Sequence, residues 1–348
     1  MRVRDLDYDL PEERVAQRPP PERDGGRLLV IRRGELEHDR VRSLARHVPA
    51  GALVVVNDTR VLPARLLGAR RGTGGRAEVL LVRERRSAPD GASATWVAMM
   101  RASKALRCGS FVDLEGLSVE VVGREGALFE VELRSTLGPV REAIGRLGHV
   151  PLPPYIRRAD DAADRERYQT IFAAREGAVA APTAGLHLSA TLMGELERTC
   201  EVARLTLHVG LGTFAQVTVD DLDRHAMHEE AYDIPAATAD AVARARRDGR
   251  PIVAIGTTVL RALESAKDGA GGVSAGAATT RLLVQPGYRF GVVDLLFTNF
   301  HLPRSTLLAL ACAVGGTARV LAAYRAAIAA NYMFFSYGDA TLLERDAP

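Results

Sequence analysis

The sequence predicts a large α/β domain that is interrupted by a small antiparallel β domain. On both flanks, apolar strand-like segments run into Gly, Thr, Asn or His and then into helical patterns. Between Arg65 and Arg134 short alternating segments follow one another at close spacing, separated by Gly, Ser, Asp and Pro, and no helix pattern interrupts them. We therefore predict an α/β domain formed by residues 1–60 and 149–348, with residues 61–148 inserted as a β sandwich or barrel.

The composition indicates a globular protein with no obligatory charged partner. Of 348 residues, 47% are hydrophobic and 26% are charged, which predicts a soluble chain of two domains. The net charge of +3 is too near neutral to demand a nucleic-acid partner. Three scattered cysteines indicate a reducing compartment, and the N-terminus has no apolar core typical of a signal peptide. We expect a cytoplasmic protein with no membrane segment, disulfide framework or thiolate metal site.

The first candidate site residues follow a buried strand near the N-terminus. A short helix is predicted after Leu10-Pro11, and the segment RLLVIRR reads as a strand. The strand Leu53–Val56 then meets a polar break at Asn57, Asp58, Thr59 and Arg60. An Asx turn explains this break somewhat better than direct catalysis does, and both interpretations stay open.

A second polar break lies between residues 165 and 189. Tyr168, Ile171 and Phe172 are spaced as on one face of a helix, and GAVAAP is typical of a buried strand. Thr183 and His187 would then lie where that strand ends, and Ser189 would cap the next helix.

Three later strands show the same design, in which a strand runs into polar residues and a helix follows. The residues at these breaks are His208, Gly210, Gly212 and Thr213; Gly256, Thr257 and Thr258, before a helix with Arg261 and Glu264; and Asn299 and His301, before a helix beginning at Pro303, Arg304 and Ser305. Since ligands of α/β proteins bind outside the carboxyl ends of strands, we predict one shared crevice along a sheet edge.

The segment HAMHEEAYDI has two possible readings. If it is extended, His228, Glu230 and Tyr232 share one face; if it is helical, His225 and His228 pair instead. The Ala/Gly run from Asp268 to Thr280 is predicted to be a flexible loop, and the chain ends in a helix and an aromatic turn.

Three chemistries compete at the predicted crevice, and none of them has its sequence signature. Metal hydrolysis would need a close ligand pair such as HExxH, and a serine nucleophile would need a GxSxG elbow. A non-enzymatic RNA-binding module would need stacked aromatic residues, whereas Trp96, Phe111 and Phe129 are isolated. The repetition of histidines in similar settings favours an active site.

Long motifs along nearly the whole chain resemble one family. They are DYDLPEERVAQRP, VVNDTRVLPARL, GHVPLPPYIRR, DRERYQT, VAAPTAGLH, LHVGLGTF, HAMHEEAYDIP, AIGTTVLRALES, PGYRF, TNFHLPRSTLL and FFSYGDA. Through them the sequence resembles the S-adenosylmethionine:tRNA ribosyltransferase-isomerase family of queuosine biosynthesis.

This resemblance implies both a fold and a reaction. The implied fold is a large α/β domain with a six-stranded β-barrel inserted after the first segment. The implied reaction transfers the ribosyl part of S-adenosylmethionine to 7-aminomethyl-7-deazaguanine at the tRNA wobble position, which gives epoxyqueuosine, adenine and methionine. S-adenosylmethionine is then a substrate, the tRNA bearing the deazaguanine is the partner, and no cofactor or metal is expected. We expect a monomer.

The chemistry requires positioned acids and bases. A sulfonium acidifies the adjacent ribose carbon, so that a base can remove a proton there, and a proton donor near the purine would help adenine to leave. The catalytic candidates are His187, His208 and His301, with Glu230 and Glu264 as orienting groups or cation partners. The candidate substrate-binding residues are Asn57, Asp58, Arg60, Thr183, Gly210, Gly212, Thr213, His228, Gly256, Thr257, Thr258, Arg261, Asn299, Arg304 and Ser305.

The sequence departs from the family pattern at four positions. Ala215 and Gln216 stand where Arg and Pro are usual, Val259 replaces Ser, and Met333 replaces Arg. These departures leave open a divergent relative that keeps the S-adenosylmethionine chemistry and acts on another nucleoside or RNA.

Overall fold

The computed structural model describes residues 1–210, 212 and 217–346. Its strands are β1 (Arg27–Arg32), β2 (Glu35–Arg40), β3 (Leu53–Asn57), β4 (Thr59–Val61), β5 (Arg65–Arg70), β6 (Arg76–Ser87), β7 (Ser93–Ala102), β8 (Phe111–Leu114), β9 (Leu117–Glu125), β10 (Leu128–Ser135), β11 (Arg175–Ala178), β12 (Glu201–Leu207), β13 (Glu230–Ile234), β14 (Ile252–Ile255), β15 (Gly276–Thr280), β16 (Leu295–Asn299) and β17 (Ala340–Glu344). Its α-helices are α1 (Leu44–His47), α2 (Val140–Leu147), α3 (Ala162–Arg167), α4 (Ala190–Thr199), α5 (Ala236–Arg247), α6 (Thr257–Ser265), α7 (Thr306–Gly315) and α8 (Thr317–Ala329).

A nine-stranded mixed sheet forms the centre of the large domain. Its strand order is β15-β13-β12-β3-β14-β16-β17-β1-β2. The four neighbours β12, β3, β14 and β16 run parallel, so that their carboxyl ends lie along one edge of the sheet. This is the part of the fold that the predicted crevice requires.

Strand β3 shows how the sheet is buried on both faces. Leu53 and Val55 pack into one hydrophobic cluster together with residues of α5, α6, α7 and α8. Val54 and Val56 point to the opposite face and pack into a second cluster with α1 and α4. Because successive side chains of a strand point to opposite faces, a continuous run of valines is what a sheet covered on both sides needs.

The inserted domain is a closed antiparallel barrel, as predicted. Its six strands follow the order β10-β7-β6-β5-β8-β9, and β10 pairs with β9 to close it. The interior is filled by Val, Leu and Ala side chains, and α2 packs Val140, Ala143 and Ile144 against the same core. We propose residues 61–148 as the bounds of the insertion, since the chain leaves the large domain after β4 and α2 still packs on the barrel.

The segment from Arg165 to Leu188 differs from the predicted helix and strand. Helix α3 begins earlier in the chain, where Asp161 and Asp164 form a capping box, and it ends at Arg167. Gln169 then pairs with the backbone of Val61 through both its amide nitrogen and its oxygen. Strand β11 stops at Ala178, so that Thr183–His187 forms a 3-10 helix and does not lie at a strand end.

Two further predictions, both for the C-terminal half of the chain, missed a β-strand. The run Asp268–Thr280, predicted to be a flexible loop, contains β15, which pairs antiparallel with β13 from Gly276 to Thr280. Backbone pairing with a neighbouring edge needs no large side chains, which explains why composition did not indicate it. The aromatic turn near the C-terminus continues into β17, which is inserted between β1 and β16.

No single helix in the described part of the chain has both the length and the apolar character needed to cross a membrane. Helices α7 and α8 meet that test only as a pair, and they are bent against each other by 111°.

Candidate active site

A cavity of about 470 Å³ lies at the carboxyl ends of the parallel strands. It is bordered by Val209 after β12, Gly256 after β14 and Asn299 at the end of β16. The 3-10 helix contributes Thr183, and the start of α7 contributes Ser305. The shared crevice predicted from repeated strand ends is therefore present, and its position agrees with the general rule for α/β sheets.

Helix α6 begins directly at the cavity. Gly256 has φ +97° and is the N-cap residue, and a Cβ there would lie 3.4 Å from Cβ of Ala184. The positive φ thus favours glycine here, whereas a Cβ would make only an ordinary van der Waals contact with Ala184. Thr257 and Thr258 follow in the first turn, where amide groups have no partner within the helix. Asn57 donates from Nδ2 to Oγ1 of Thr258 at 3.3 Å and holds the turn onto β3.

Helix α7 begins at the opposite wall of the cavity. Ser305 is its N-cap residue and accepts from the Leu308 amide at 3.2 Å. Arg304 and Phe335, both of which line the cavity, have φ of +57° and +72°. Such angles are costly for residues with side chains and concentrate at functional sites.

A buried ion pair lies behind the cavity wall. Nη1 of Arg261 donates to the carboxylate of Glu230, and both side chains are less than a tenth exposed. Glu230 also accepts the Gly210 amide at 3.1 Å, and Nε of Arg261 donates to the Leu282 carbonyl at 3.0 Å. Within the described residues, Nη2 of Arg261 has no hydrogen-bond partner. Since a buried donor without a partner is costly, this guanidinium is a candidate ligand contact.

Two histidines flank Asn299 at the end of β16. Nε2 of His187 accepts from Nδ2 of Asn299 at 2.9 Å, and Nε2 of His301 lies 3.1 Å from Oγ1 of Thr298. His301 and Asn299 line the cavity, whereas His187 lies outside its described lining. Oδ1 of Asn299 is buried, and no partner for it exists among the described residues. Within the described residues, three side chains that line the cavity thus carry a buried polar atom without a partner, namely Asn299, Arg261 and Tyr168.

Burial keeps both of these imidazoles neutral at pH 7. Desolvation lowers the pKa of His187 to about 4 and the pKa of His301 to about 3. The unfolded chain binds these protons at an ordinary pKa near 6.5. Their contribution to stability is therefore complete above about pH 6.5 and is lost as the pH falls toward 4 and 3.

His208 has a different environment at the end of β12. Nδ1 lies 2.8 Å from Oγ1 of Thr59, and a Cβ on Gly177 would come within 2.9 Å of the imidazole ring. Burial is the main cause that lowers its pKa, while Asp58 acts in the opposite direction. His208 does not belong to the described lining of the cavity. The expectation that it shares one acid–base site with His187 stays a prediction.

Glu264 holds a loop of the protein and does not line the cavity. Its carboxylate is buried and accepts the amides of Gly291, Val292 and Val293 at 2.9–3.0 Å. The Tyr288 hydroxyl donates to it as well, at 3.2 Å. Because four donors already occupy this carboxylate, Glu264 has a structural role and holds the backbone from Gly291 to Val293 in place.

The predicted residues thus fall into three groups. The residues that line the cavity are Thr183, Gly212, Gly256, Thr257, Thr258, Arg261, Asn299, His301, Arg304 and Ser305. Those outside its described lining are His187, His208, Glu230, Glu264, Asn57, Asp58, Arg60, Gly210 and His228. Thr213 lies outside the described residues.

Some lining residues were not predicted as site residues. They are Tyr155, Tyr168, Thr298, Phe335 and Ser336, among others. The motifs PLPPY, FTNFH and FFSYGDA carry four of them. Thr298 and Ser336 are the polar residues among these four, apart from the Tyr155 hydroxyl, to which Ser336 is bonded at 2.6 Å.

Two of the four departures from the family pattern can be placed. Val259 is completely buried in the cluster beneath α6, where an apolar side chain is favourable. Met333 is half-buried, and its amide donates to Asp339 at 2.7 Å. Ala215 and Gln216 lie outside the described residues.

One group of possible metal ligands exists in the described residues, and it is not at the cavity. Glu37, Asp39 and His47 have ligand atoms within 4.8 Å of one another. Nε2 of His47 lies 2.7 Å from the Asp39 carboxylate, so that a hydrogen bond already occupies it.

Comparison with known proteins connects this fold to one family. The family model described as "Queuosine biosynthesis protein" matches residues 3–343. Proteins named S-adenosylmethionine:tRNA ribosyltransferase-isomerase from Sorangium cellulosum and Geobacter metallireducens are 57% and 49% identical. The alignments cover 100% of both chains in the first case, and 98% of this chain and 99% of the relative in the second.

A solved structure agrees with this result. The crystal structure of S-adenosylmethionine tRNA ribosyltransferase from Thermotoga maritima matches with a TM-score of 0.54 and 30% identity, covering 97% of this chain and 99% of that one. The matches extend over both the sheet and the inserted barrel. The chain therefore belongs to the queuosine biosynthesis protein family.

Proposed function

We propose that the chain transfers and isomerises the ribosyl moiety of S-adenosylmethionine onto 7-aminomethyl-7-deazaguanine at the wobble position of tRNA. The products are epoxyqueuosine-bearing tRNA, adenine and methionine. Relatives that carry the name of this enzyme match the chain from end to end. The alternative of a divergent relative with another RNA substrate has no observation that favours it.

The observation that carries this proposal is a set of buried polar atoms without partners at the cavity, and two of these atoms suit the polar groups of S-adenosylmethionine. Nη2 of Arg261 is a donor without a partner, and Oδ1 of Asn299 is an acceptor without a partner, within the described residues. Buried polar groups of folded proteins are normally paired, so these two indicate contacts that a ligand completes. S-adenosylmethionine offers a carboxylate for the guanidinium, and it offers hydroxyl and amino groups for the amide oxygen.

His301 is the histidine that we propose as the proton acceptor. It borders the cavity, and its neutral imidazole carries a lone pair that can accept a proton once the ligand is bound. The proton would come from the ribose carbon beside the sulfonium, where the positive charge makes the C–H bond acidic. His187 would act through Asn299, which it contacts, as a positioning residue.

The amide groups of the first turn of α6 and the hydroxyls of Thr257 and Thr258 would bind the polar groups of the same ligand. S-adenosylmethionine is consumed as a substrate: a bond forms between its ribosyl group and the acceptor amine, and the bonds from that group to adenine and to the methionine sulfur break. The proposed role of the protein is proton transfer, with no redox or metal step. The expectation that the protein works as a monomer stays a prediction.

Incubation with S-adenosylmethionine and tRNA that bears the deazaguanine precursor tests the function. We expect free adenine and a nucleoside whose mass has increased by the transferred ribosyl group, both measured by mass spectrometry. Formation of S-adenosylhomocysteine would indicate methyl transfer instead and would contradict the proposal. RNA binding without any turnover would also contradict it.

A further inference from the structure

A second cavity, of about 680 Å³, lies between the outer wall of the barrel and the segment from His149 to Asp160. We call it the barrel cleft. On the barrel side, Leu67 of β5, Leu80 of β6 and Met99 of β7 line it. Leu67 is one of the few large apolar side chains that are exposed, with 45% of its surface accessible. A cleft with apolar walls and a solvent-exposed apolar side chain is typical of a binding site.

A positioned imidazole forms part of the opposite wall. Nδ1 of His149 lies 2.9 Å from Asp160, whose second oxygen accepts the Val150 amide at 2.9 Å. The ring is therefore held by a buried carboxylate while 41% of its side chain remains exposed to the cleft. A flat ring opposite aliphatic and thioether side chains is suited to hold a planar heterocycle.

The charged residues of the cleft favour an anionic ligand. Arg65, Arg101, Arg157 and Arg158 line it, against two carboxylates. Three of these arginines are paired: Arg65 with Glu78, and the other two with acidic residues of the large domain. Arg101 is exposed and has no ion-pair partner among the described residues. It is the cation available to a phosphate.

The barrel cleft and the active-site cavity meet at one contact. His228 lines the cleft, and Gly212 lines the cavity. A Cβ on Gly212 would lie 3.0 Å from Cβ of His228, so the two residues are packed directly against each other. The barrel cleft and the active-site cavity therefore adjoin at this contact.

We propose that the barrel cleft binds the acceptor nucleotide of the RNA substrate. The unpaired base lies between His149 and the wall formed by Leu67, Leu80 and Met99, and a phosphate contacts Arg101. This inference rests on the proposed function, because it assigns the acceptor to a place next to the S-adenosylmethionine cavity. The amine of the base points past His228 toward the ribosyl group.

A matched pair of variants tests the assignment. Leu67→Glu places a carboxylate in the cleft, and Val122→Glu places one on another exposed part of the barrel, where the native side chain is 42% accessible. Binding of a hairpin RNA with the precursor base in its loop is measured by fluorescence anisotropy without S-adenosylmethionine. We expect L67E to bind about 10-fold more weakly or worse, since apolar contact is lost and like charge is added. V122E should bind as the wild type does.

A second pair is independent of any folding defect in the first. Arg101→Ala should weaken RNA binding and should reduce the slope of log K against log salt concentration by about 1, the value for one lost phosphate contact. Arg107→Ala lies outside the cleft and should change neither the affinity nor the slope. The affinity for S-adenosylmethionine, measured by calorimetry, should stay the same in all four variants.

The proposed function and this inference can fail separately. If the wild type turns over and L67E and R101A bind the hairpin as the wild type does, the cleft assignment is wrong. Equal losses in L67E and V122E, or a wild type that does not bind the hairpin, would also overturn it. If wild type releases no adenine with this RNA, while the cleft variants alone lose binding, the proposed function fails and the cleft remains the RNA site.

Discussion

The barrel and the carboxyl edge of the large sheet bury different kinds of residue. In the described chain, each buried polar or charged side chain lies outside the six barrel strands. The barrel interior consists of residues such as Val79, Val119, Val131 and Leu133. The edge of the sheet buries Arg261, Glu230, Asn299 and two histidines within a few residues of one cavity.

This contrast separates what holds the protein together from what acts on a ligand. Burying apolar side chains stabilises a fold in proportion to area, and it asks for no partner groups. Burying polar groups costs free energy unless each is paired. Within the described residues, Arg261, Asn299 and Tyr168 have such unpaired atoms at the cavity, whereas the barrel core has Nε1 of Trp96. We therefore expect substitutions at the edge to change turnover and substitutions in the barrel interior to change stability.

The largest effect is expected from His301→Gln. Glutamine keeps a hydrogen bond to Thr298 but cannot take a proton, so turnover should fall by roughly 10²–10⁴-fold while the affinity for S-adenosylmethionine changes little. His187→Gln is the matched control, because that histidine contacts Asn299 but does not line the described cavity. Its turnover should fall less. Equal losses of turnover in the two variants would contradict the assignment of His301 as proton acceptor and His187 as a positioning residue.

The second effect concerns the ion pair of Arg261 and Glu230. Arg261→Met leaves a buried carboxylate without its cation, which should cost about 3–5 kcal/mol of stability. It also removes the proposed contact with the ligand carboxylate, so the affinity for S-adenosylmethionine should fall by about 10–100-fold, as expected for a charge-assisted hydrogen bond.

The double variant R261M/E230L separates these two consequences. Thermal unfolding should recover toward the wild-type melting temperature, because no charge is left unpaired. Calorimetry should still find weak S-adenosylmethionine binding. Recovery of the affinity together with the stability would mean that Arg261 has a structural role alone.

A smaller effect is expected when Thr257 and Thr258 are both replaced by Val. The change removes two hydroxyls from the first turn of α6 and replaces each with a methyl group. We expect about a 30-fold loss of S-adenosylmethionine affinity, at roughly 1 kcal/mol for each of the two lost hydrogen bonds. Unchanged affinity in a folded double variant would place the ligand elsewhere.

No effect on turnover per folded molecule is expected from Leu133→Ala. Leu133 is completely buried in the barrel, and its truncation should cost about 2–5 kcal/mol of stability. The melting temperature measures the loss of stability. Specific activity, measured about 10 °C below the melting transition, where nearly all molecules are folded, measures turnover per folded molecule. A large loss of activity in the folded protein would mean that the barrel interior takes part in the reaction.

The sequence predicted which segments form the site better than it predicted which side chains pair with one another there. Gly256-Thr257-Thr258 and Asn299 were identified because a buried strand followed by a polar break and a helix is a local pattern. Glu230 and Arg261 are separated by 31 positions, and their pairing depends on how β13 lies against α6. No local pattern contains that information, so the two residues were assigned without being connected.

The same limit explains Glu264 and the 3-10 helix at Thr183–His187. A glutamate at the end of a helix beside a predicted site looks like a catalytic carboxylate, but three consecutive backbone amides from a distant loop occupy it. The chain from Thr183 to His187 was predicted at a strand end, but β11 already stops at Ala178 and these five residues form a 3-10 helix.

Hydrogen exchange with and without S-adenosylmethionine tests the central claim most directly. The claim is that the ligand binds at the carboxyl edge of the sheet and leaves the barrel untouched. We predict slower exchange of the amides from Gly256 to Arg261 and from Asn299 to Thr306 when the ligand is bound. The barrel strands from Arg65 to Ser135 should exchange at the same rate in both states. Protection within those strands, with no change at Gly256–Arg261, would contradict the account.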